Sequence, residues 1–386
     1  KKNVETGPTQ MMYVKADYTL PVGKKDKFET GLQFRSGKSG DNTDLYLYNT
    51  ETGGIDLVPE FSNNTDYIRN IYAIYSLYAG YFGKFGYQAG LRAEYTDRKV
   101  TTTGQDPFII DRWDIFPTVH LSYSLPKDHQ IMASYSRRID RPRGWNLEPF
   151  ITWQDQYNVR KGNPELKPEY IDSYDAGYLM KFGENLFSLE SYYRVTHNKM
   201  ERISSVYQEN VMLNTIDNVG EDYSLGLEAM LNIGIAKWWD ISLSGNLYDY
   251  KIEGVLYDEP FKKTSTNWNS RLNNTFRLWD KAQLQLSGRY NSETVTAQGT
   301  SSGYYTLDGA FKLSFLNKQL TANLQARDIF GTALRNYTQV GRDFNLDYKF
   351  TPKAPMLIVS ISYRFNNYKI NRRSNSGDGN GGGDDL

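Results

Sequence analysis

Apolar and polar residues alternate with period two in segment after segment of this chain. Val119, Leu121, Tyr123 and Leu125 alternate with His120, Ser122 and Ser124. Leu284, Leu286, Gly288 and Tyr290 alternate with Gln283, Gln285, Ser287 and Arg289, and Leu357, Val359, Ile361, Tyr363 and Phe365 with Ile358, Ser360, Ser362 and Arg364. Such segments are strands with one apolar and one polar face. The pattern predicts about fifteen strands, near 10–20, 27–37, 65–82, 86–100, 113–125, 129–138, 169–182, 186–197, 219–234, 239–251, 264–278, 281–296, 304–315, 319–330 and 355–365. Many reach about ten residues, against the usual five or six of soluble sheets.

The connections alternate in length. Pro21–Asp26, Gly83–Phe85, Pro126–Asp128, Gly183–Asn185, Ala236–Trp238, Trp279–Asp280 and Leu316–Lys318 are short; Lys38–Asn64, Thr101–Arg112, Ile139–Pro168, Asn198–Asn218, Ile252–Lys263, Ala297–Gly303 and Gly331–Ala354 are long. All short turns then fall at one end of the strands and all long loops at the other. This asymmetry predicts an all-β fold, an antiparallel transmembrane β-barrel with periplasmic turns and extracellular loops. Apolar faces point to lipid, polar faces line the lumen, and closure pairs every backbone group, as hydrocarbon demands. A soluble sandwich also alternates, but with shorter strands and without the difference between its ends.

One stretch, Ile139–Glu169, lacks alternation. Pro164 and Pro168 forbid a central strand or helix interior there and push Asn163 and Lys167 towards extended geometry. A loop of this length is functional or disordered. Trp145, Phe150, Trp153 and Tyr157 argue for order and packing.

Composition sharpens the picture. Mean hydropathy is −0.64, yet there are 31 Tyr, 18 Phe and 7 Trp among 386 residues. Aromatics suit both strands and membrane interfaces; Tyr13, Tyr18, Tyr81, Phe82, Trp113, Phe182, Trp238, Trp239 and Trp279, near strand ends, fit interfacial girdles. No run of about 18 apolar residues predicts a membrane helix. With 45 basic and 45 acidic residues there is no basic field for nucleic acid, and without Cys there is no disulfide or thiolate metal site. His120, His129 and His197 form no metal-binding or catalytic spacing, and Gly377–Gly383 lacks the context of a phosphate loop. Asp41, Asp44, Glu51 and Asp56 read as a solvated acidic loop rather than a calcium site. No enzyme activity and no cofactor is expected.

The first residues, KKNVETGPTQ, read as an internal start. The last strand descends from a long loop, which puts Phe365 on the periplasmic side. By parity strand 10–20 also descends, so at least one strand is expected to precede it. Residues 1–365 are thus expected to form a barrel domain lacking its N-terminal part, and 366–386, polar and Gly-rich, a disordered periplasmic tail.

Tyr135-Ser136-Arg137-Arg138-Ile139-Asp140-Arg141-Pro142, Leu147-Glu148-Pro149-Phe150 and Gly162-Asn163-Pro164-Glu165-Leu166-Lys167-Pro168-Glu169 resemble the barrel of TonB-dependent outer-membrane receptors, in detail the outer-membrane β-barrel family of Bacteroidota. Arg327-Asp328-Ile329-Phe330 and the closing VSISYRF carry the resemblance to the end. It implies a barrel of about 22 strands with a plugged lumen, of which this chain would hold the C-terminal part without the plug. It also implies Tyr363 and Phe365 as a signal to the barrel-assembly machinery, although about twenty residues follow them here.

The function expected is uptake of a scarce nutrient (a siderophore, glycan, peptide or similar) across the outer membrane of a Gram-negative cell. The partners would be membrane lipid and lipopolysaccharide, and the TonB system acting through the plug. Arg141, Arg143, Trp145, Trp153 and Tyr157 are candidate extracellular ligand contacts, with loop packing as the plainer reading of each. Asn163, Pro164, Leu166, Lys167, Pro168 and Glu169 are expected to be architectural, with Lys167 and Glu169 solvated or paired near the outer rim. A passive or structural barrel, porin-like or an adhesion scaffold, is the competing expectation, and a soluble secreted β-rich enzyme the remote one.

Overall fold

The computed structural model describes residues 1–365; the tail expected to be disordered, 366–386, lies outside the described residues. Fifteen strands follow one another as an antiparallel meander: β1 (Thr9–Val22), β2 (Asp26–Tyr48), β3 (Asn63–Phe82), β4 (Phe85–Thr102), β5 (Phe108–Leu125), β6 (His129–Asp140), β7 (Glu169–Phe182), β8 (Asn185–Gln208), β9 (Val211–Ala236), β10 (Trp239–Leu256), β11 (Glu259–Trp279), β12 (Ala282–Asn291), β13 (Tyr304–Phe315), β14 (Leu320–Arg327) and β15 (Met356–Tyr363). Each pairs with the next. Lys2–Thr6 prolongs β1 along the outer part of β2, from Lys2 opposite Tyr46 to Thr6 opposite Asn42. The fold is the all-β, antiparallel barrel wall that the alternation predicts. Among the described residues β1 and β15 have ladder partners on one side only, and β1 is exposed on both faces.

The two faces differ as lipid and lumen require. On β4, Leu91 is 54 % exposed on the outer face, while Glu94, Thr96 and Arg98 are buried on the inner one. Outward Leu225, Leu227, Leu247, Val359 and Ile361 continue the apolar surface. Aromatic rings bound it above and below. Phe34, Tyr72, Tyr95 and Trp113 touch in sequence across β2–β5, with centroids 4.9, 6.3 and 5.4 Å apart. Tyr135, Tyr174 and Tyr193 continue this outer girdle across β6–β8 at 4.9 and 6.3 Å. At the other end Trp238, Trp239 and Phe276 stack beside the short turns. Amphipathic rings settle at both interfaces of a barrel. Among the described residues no helix is long and apolar enough to cross a membrane.

The short turns have the backbone their residues favour. Lys127 and Asp128 both have positive φ, at 61° and 58°, in the three-residue connection from Leu125 to His129, and Gly183 supplies +61° in the next short turn at no steric penalty. The outer ends depart from expectation. Asn198–Asn218 and Ile252–Lys263, read as loops, are strand prolongations closed by tight turns. The β8–β9 ladder runs to Gln208 opposite Val211, and β10–β11 to Leu256 opposite Glu259. Asn210, Tyr257 and Asp258 provide the positive φ at their tips. The β2 strand likewise runs on to Tyr48. Above the membrane both faces of a strand meet water or neighbouring loops, so the apolar–polar contrast fades while the ladder continues.

Two irregularities shape the outer half. Between β5 and β6 the ladder ends at Thr118 opposite Ser136, next to Pro117. Proline has no N–H to give and is tolerated in sheets only where a strand has a free edge. Above it β5 pairs with β4 alone and β6 with β7 alone, so the wall forks. On β8 a bulge at Asn198, φ +55°, shifts the register between His197 and Lys199. Beyond β12, short strands at Thr294–Val295, Gly299–Ser301, Arg335–Val340 and Asn345–Phe350 form a separate four-stranded sheet.

Candidate functional site at the outer mouth

The stretch between β6 and β7 folds inwards onto the wall. Four apolar side chains hold it: Leu147, Val159 and Leu166 at 1 % exposure or less, and Phe150 at 7 %. Leu147 and Leu166 pack with Tyr67 of β3, Val100 of β4 and Ile216 of β9. Each buried side chain of this size stabilises the seat by roughly 1.5–3 kcal/mol. A short helical turn at Gly144–Leu147 starts the loop, and Asn158–Arg160 pairs in parallel with Met212–Asn214 of β9. Gly162 crosses so close to the turn that a Cβ would lie 2.2 Å from the Trp145 carbonyl oxygen. Its N–H donates to the Glu148 carbonyl at 2.7 Å, and that of Asn163 to the Asn146 carbonyl at 2.6 Å.

Charge fixes the loop at three points. Arg141 reaches Glu94 of β4 at 2.6 Å, Thr96 at 3.3 Å and Asp114 of β5 at 3.7 Å. Tyr170 donates to Asp114 at 2.5 Å and accepts from Arg112, so side chains fill the fork between β5 and β6. Arg98 donates to the carbonyls of Pro164 and Leu166 at 3.0 and 3.3 Å. Its burial lowers its pKa to about 10. Glu169 meets Lys199 at 3.2 Å and accepts the Met200 N–H at 2.6 Å. Burial raises the Glu169 pKa, and the Lys199 charge opposes that rise.

The rest of the proline run is held by amides. Asn218 of β9 accepts the Lys167 N–H at 2.8 Å and donates to the Lys167 carbonyl at 3.0 Å, imitating a ladder partner. Asn198 donates to the Pro168 carbonyl at 3.2 Å, and Asn163 to Asp217 at 3.2 Å. Lys167 is exposed and Pro164 half-buried.

The five candidate contacts separate into three environments. Arg141 is buried in the ion-pair network. Arg143 lies 3.9 Å from Asp140 at the partly exposed loop entry, and the guanidinium groups of Arg160 and Arg202 lie 5.6 and 5.7 Å from the Trp145 ring centre. Trp153 meets Phe61 and Tyr207 edge-on with the Lys1 ammonium 3.3 Å from its ring centre, and Tyr157 is 57 % exposed. Beside Trp145, Glu148 is joined to Arg160 at 3.5 Å. Burial, then the neighbouring Asp41, pushes the Glu148 pKa up to about 7. Glu148, Asp41 and Glu5 border a cleft of about 380 Å³ between the loop and β1–β3.

Sequence reasoning missed the wall residues Glu94, Arg98, Asp114, Lys199 and Asn218. Asn198 left one signal, an Asn that interrupts strand periodicity. It also missed a second seated loop, 292–303. There Gln298, 2 % exposed, accepts the Ser204 N–H at 2.7 Å and donates to the Ser204 carbonyl at 2.9 Å and the Tyr257 hydroxyl at 2.8 Å. Ala297 packs with Ile203, Val219 and Ile252. Among the described residues no cluster of His, Cys, Asp and Glu could hold a metal ion.

The model of the outer membrane protein beta-barrel family matches residues 1–371. The chain belongs to that family. Membership places it in the Gram-negative outer membrane, with the short turns in the periplasm. No curated protein sequence matches it. Solved structures with the family's architecture do. The copper transporter OprC superposes with a TM-score of 0.66 at 12 % identity, over 93 % of this chain and 57 % of OprC. The ferric-catecholate import receptor Fiu of E. coli K12 gives 0.63 at 13 %, over 92 % and 55 %. The ferric yersiniabactin uptake receptor FyuA of Yersinia pestis gives 0.63 at 13 %, over 93 % and 54 %. At such identities the likeness is one of fold. The chain spans little more than half the length of these receptors.

Proposed function

We propose that this chain is the wall and outer mouth of a TonB-dependent receptor that takes up a scarce nutrient across the outer membrane. One observation carries the reading: a 28-residue loop, 141–168, is bonded onto the inner wall at the mouth, where a passive pore needs open water. Trp145, Arg143, Trp153 and Tyr157 are its ligand-facing side chains, and Arg141 holds them in position. Asn163 to Glu169 serve architecture. The single-sided edges of β1 and β15 are closed by further strands, in a barrel of about 22 that surrounds a plug, as receptors of this size do. Tyr363 and Phe365, edge to face with ring centres 4.7 Å apart, address the barrel-assembly machinery.

Growth on single limiting sources of iron, cobalamin, glycan or peptide tests this. Deleting the gene and deleting the TonB energy coupler are expected to abolish growth on the same source. A source lost with the gene but kept without the coupler overturns the reading in favour of a passive barrel. Trp145→Ala and Tyr157→Ala are each expected to raise the half-saturating concentration about tenfold, which is about 1.4 kcal/mol.

A further inference from the structure

The cleft beside the seated loop holds more negative charge than the protein balances. It has a volume of about 380 Å³ and lies between the loop and β1–β3. Register shows which way it faces. Asp41 lies opposite Thr65, and Ser39 lies opposite Thr9 on one side and Tyr67 on the other. Directly paired residues share a face. Tyr67 packs with Val100, Leu147 and Leu166, so this face is the luminal one. Glu5, Asp41 and Glu148 line the cleft, and no basic side chain does. Arg160 reaches Glu5 at 3.1 Å and Glu148 at 3.5 Å, one guanidinium shared by both carboxylates. Asp41 accepts the Thr43 hydroxyl at 3.1 Å and forms no ion pair among the described residues.

A second observation points to an occupant. Tyr67 lines the same cleft and is 7 % exposed, and its hydroxyl has no hydrogen-bond partner among the described residues. A buried polar group left unpaired costs about 1–3 kcal/mol, which a bound donor relieves. The volume falls within the roughly 300–1,000 Å³ of small-molecule pockets, far above the room one water needs. Ionised carboxylates only accept hydrogen bonds, so the occupant must donate. Anionic groups are repelled, and a neutral sugar leaves the charge unbalanced. Among the described residues no acidic cluster could hold a metal ion, so the three carboxylates do not share a point cation. An organic cation with several N–H donors meets acceptors spaced in this way. Gly144, at φ +54° with open space where a Cβ would stand, leaves the lip of the cleft clear beside Trp145. Resting on the uptake role proposed above, we infer that the cleft takes a guanidinium or primary ammonium group of the nutrient, with Asp41 and Glu148 as counter-ions and the Tyr67 hydroxyl as a further acceptor. The nutrient is then cationic, a basic peptide or a polyamine.

The test uses the full-length protein in mild detergent and measures binding by calorimetry. The probes are the peptide Gly-Arg-Gly, its citrulline counterpart, in which a neutral urea replaces the guanidinium, and spermidine. The arginine peptide, spermidine or both are expected to bind about tenfold tighter than the citrulline peptide, which is about 1.4 kcal/mol. Preference for the arginine peptide alone assigns the cation to a peptide, and for spermidine alone to a polyamine. Asp41→Asn and Glu148→Gln, which keep shape, are each expected to remove most of the preference, and Tyr67→Phe a part of it. Glu51→Gln, at an exposed acid in the turn beyond β2, is expected to leave it intact. Unboiled gel migration confirms that each variant is folded. Cationic probes that bind no tighter than the citrulline peptide, or not at all, overturn the proposal, as does a loss in Glu51→Gln equal to that in Asp41→Asn. Binding is read without the TonB coupler, so this failure is distinct from growth that proves independent of the coupler.

Discussion

Two loops are seated on the inside of this barrel, and they are held by different chemistry. Residues 141–168 are clamped by ions: Arg141 on Glu94 and Asp114, Arg98 on two carbonyls, Glu169 on Lys199. Residues 292–303 are clamped chiefly by a neutral amide, Gln298, which satisfies both backbone groups of Ser204 at once, with one charged contact, the Ala297 N–H donating to Glu201 at 3.3 Å. Both clamps are buried and both are helped by apolar anchors. The difference lies in what can loosen them. A neutral amide does not respond to pH or salt near neutrality, whereas buried charges depend strongly on keeping their partners. The first loop, with three charged clamps, is therefore the more responsive to conditions, and the second, with one charged contact, the less.

The comparison breaks most sharply at Arg141. Arg141→Ala removes the cation that ties the loop to Glu94 and Asp114, each of which keeps a neighbour of its own, Arg92 at 2.6 Å and Arg112 at 3.3 Å, so the loss is about 3 kcal/mol, the lower end for breaking a buried pair. Hydrogen exchange should show protection collapse in 141–168 and persist in 292–303. If both loops lose protection together, the two clamps are one unit and the contrast is false.

The next effect is the response to pH. Glu148 has a folded pKa near 7 against an ordinary value of 4.5, raised first by burial and then by Asp41. In the folded state it therefore holds its proton more firmly than when the loop is released. The stabilisation is fully present below about pH 4.5 and is lost as pH rises through 7, on the order of 3 kcal/mol in all. Protection factors of 141–168 should fall between pH 5 and 8. Glu148→Gln should flatten that dependence and leave 292–303 unchanged.

Gln298→Ala should follow, at about 2 kcal/mol, because the Ser204 N–H loses its acceptor in a buried place. Exchange should rise in 292–303 and in the paired strand Arg335–Val340, at every pH. Salt should do least. Arg143 and Asp140, 3.9 Å apart and partly exposed, contribute no more than about 1 kcal/mol. Raising ionic strength should free the entry of the first loop only slightly, as fluorescence of Trp145 would report.

The membrane-spanning part of this fold was legible because lipid enforces a contrast that sequence records. Leu225 and Leu227 must be apolar and their neighbours need not be, so alternation marked the strands and turn residues marked the periplasmic ends. The contrast ends with the bilayer. Residues 199–208 therefore read as a loop although they complete a hairpin. The seated loop was legible as an ordered, aromatic, proline-ended segment, because those residue types restrict a chain wherever it lies. Its partners were not. Arg141 and Glu94 are 47 positions apart, and nothing in a single sequence links one arginine to one glutamate across two strands. Gln298 is hidden for the same reason: its value lies in the burial that surrounds it.

The fork at Pro117 bears on how the wall carries load. Below Thr118 and Ser136, backbone ladders join β5 to β6, and such ladders are indifferent to acid or salt. Above them the gap is spanned by Tyr170, Asp114, Arg112 and Arg141. A pull on the 141–168 loop reaches this seam first, through Arg141. The upper rim thus has a crease whose stiffness is set by side-chain chemistry, while the lower cylinder stays rigid by covalent geometry and hydrogen-bonded backbone alone.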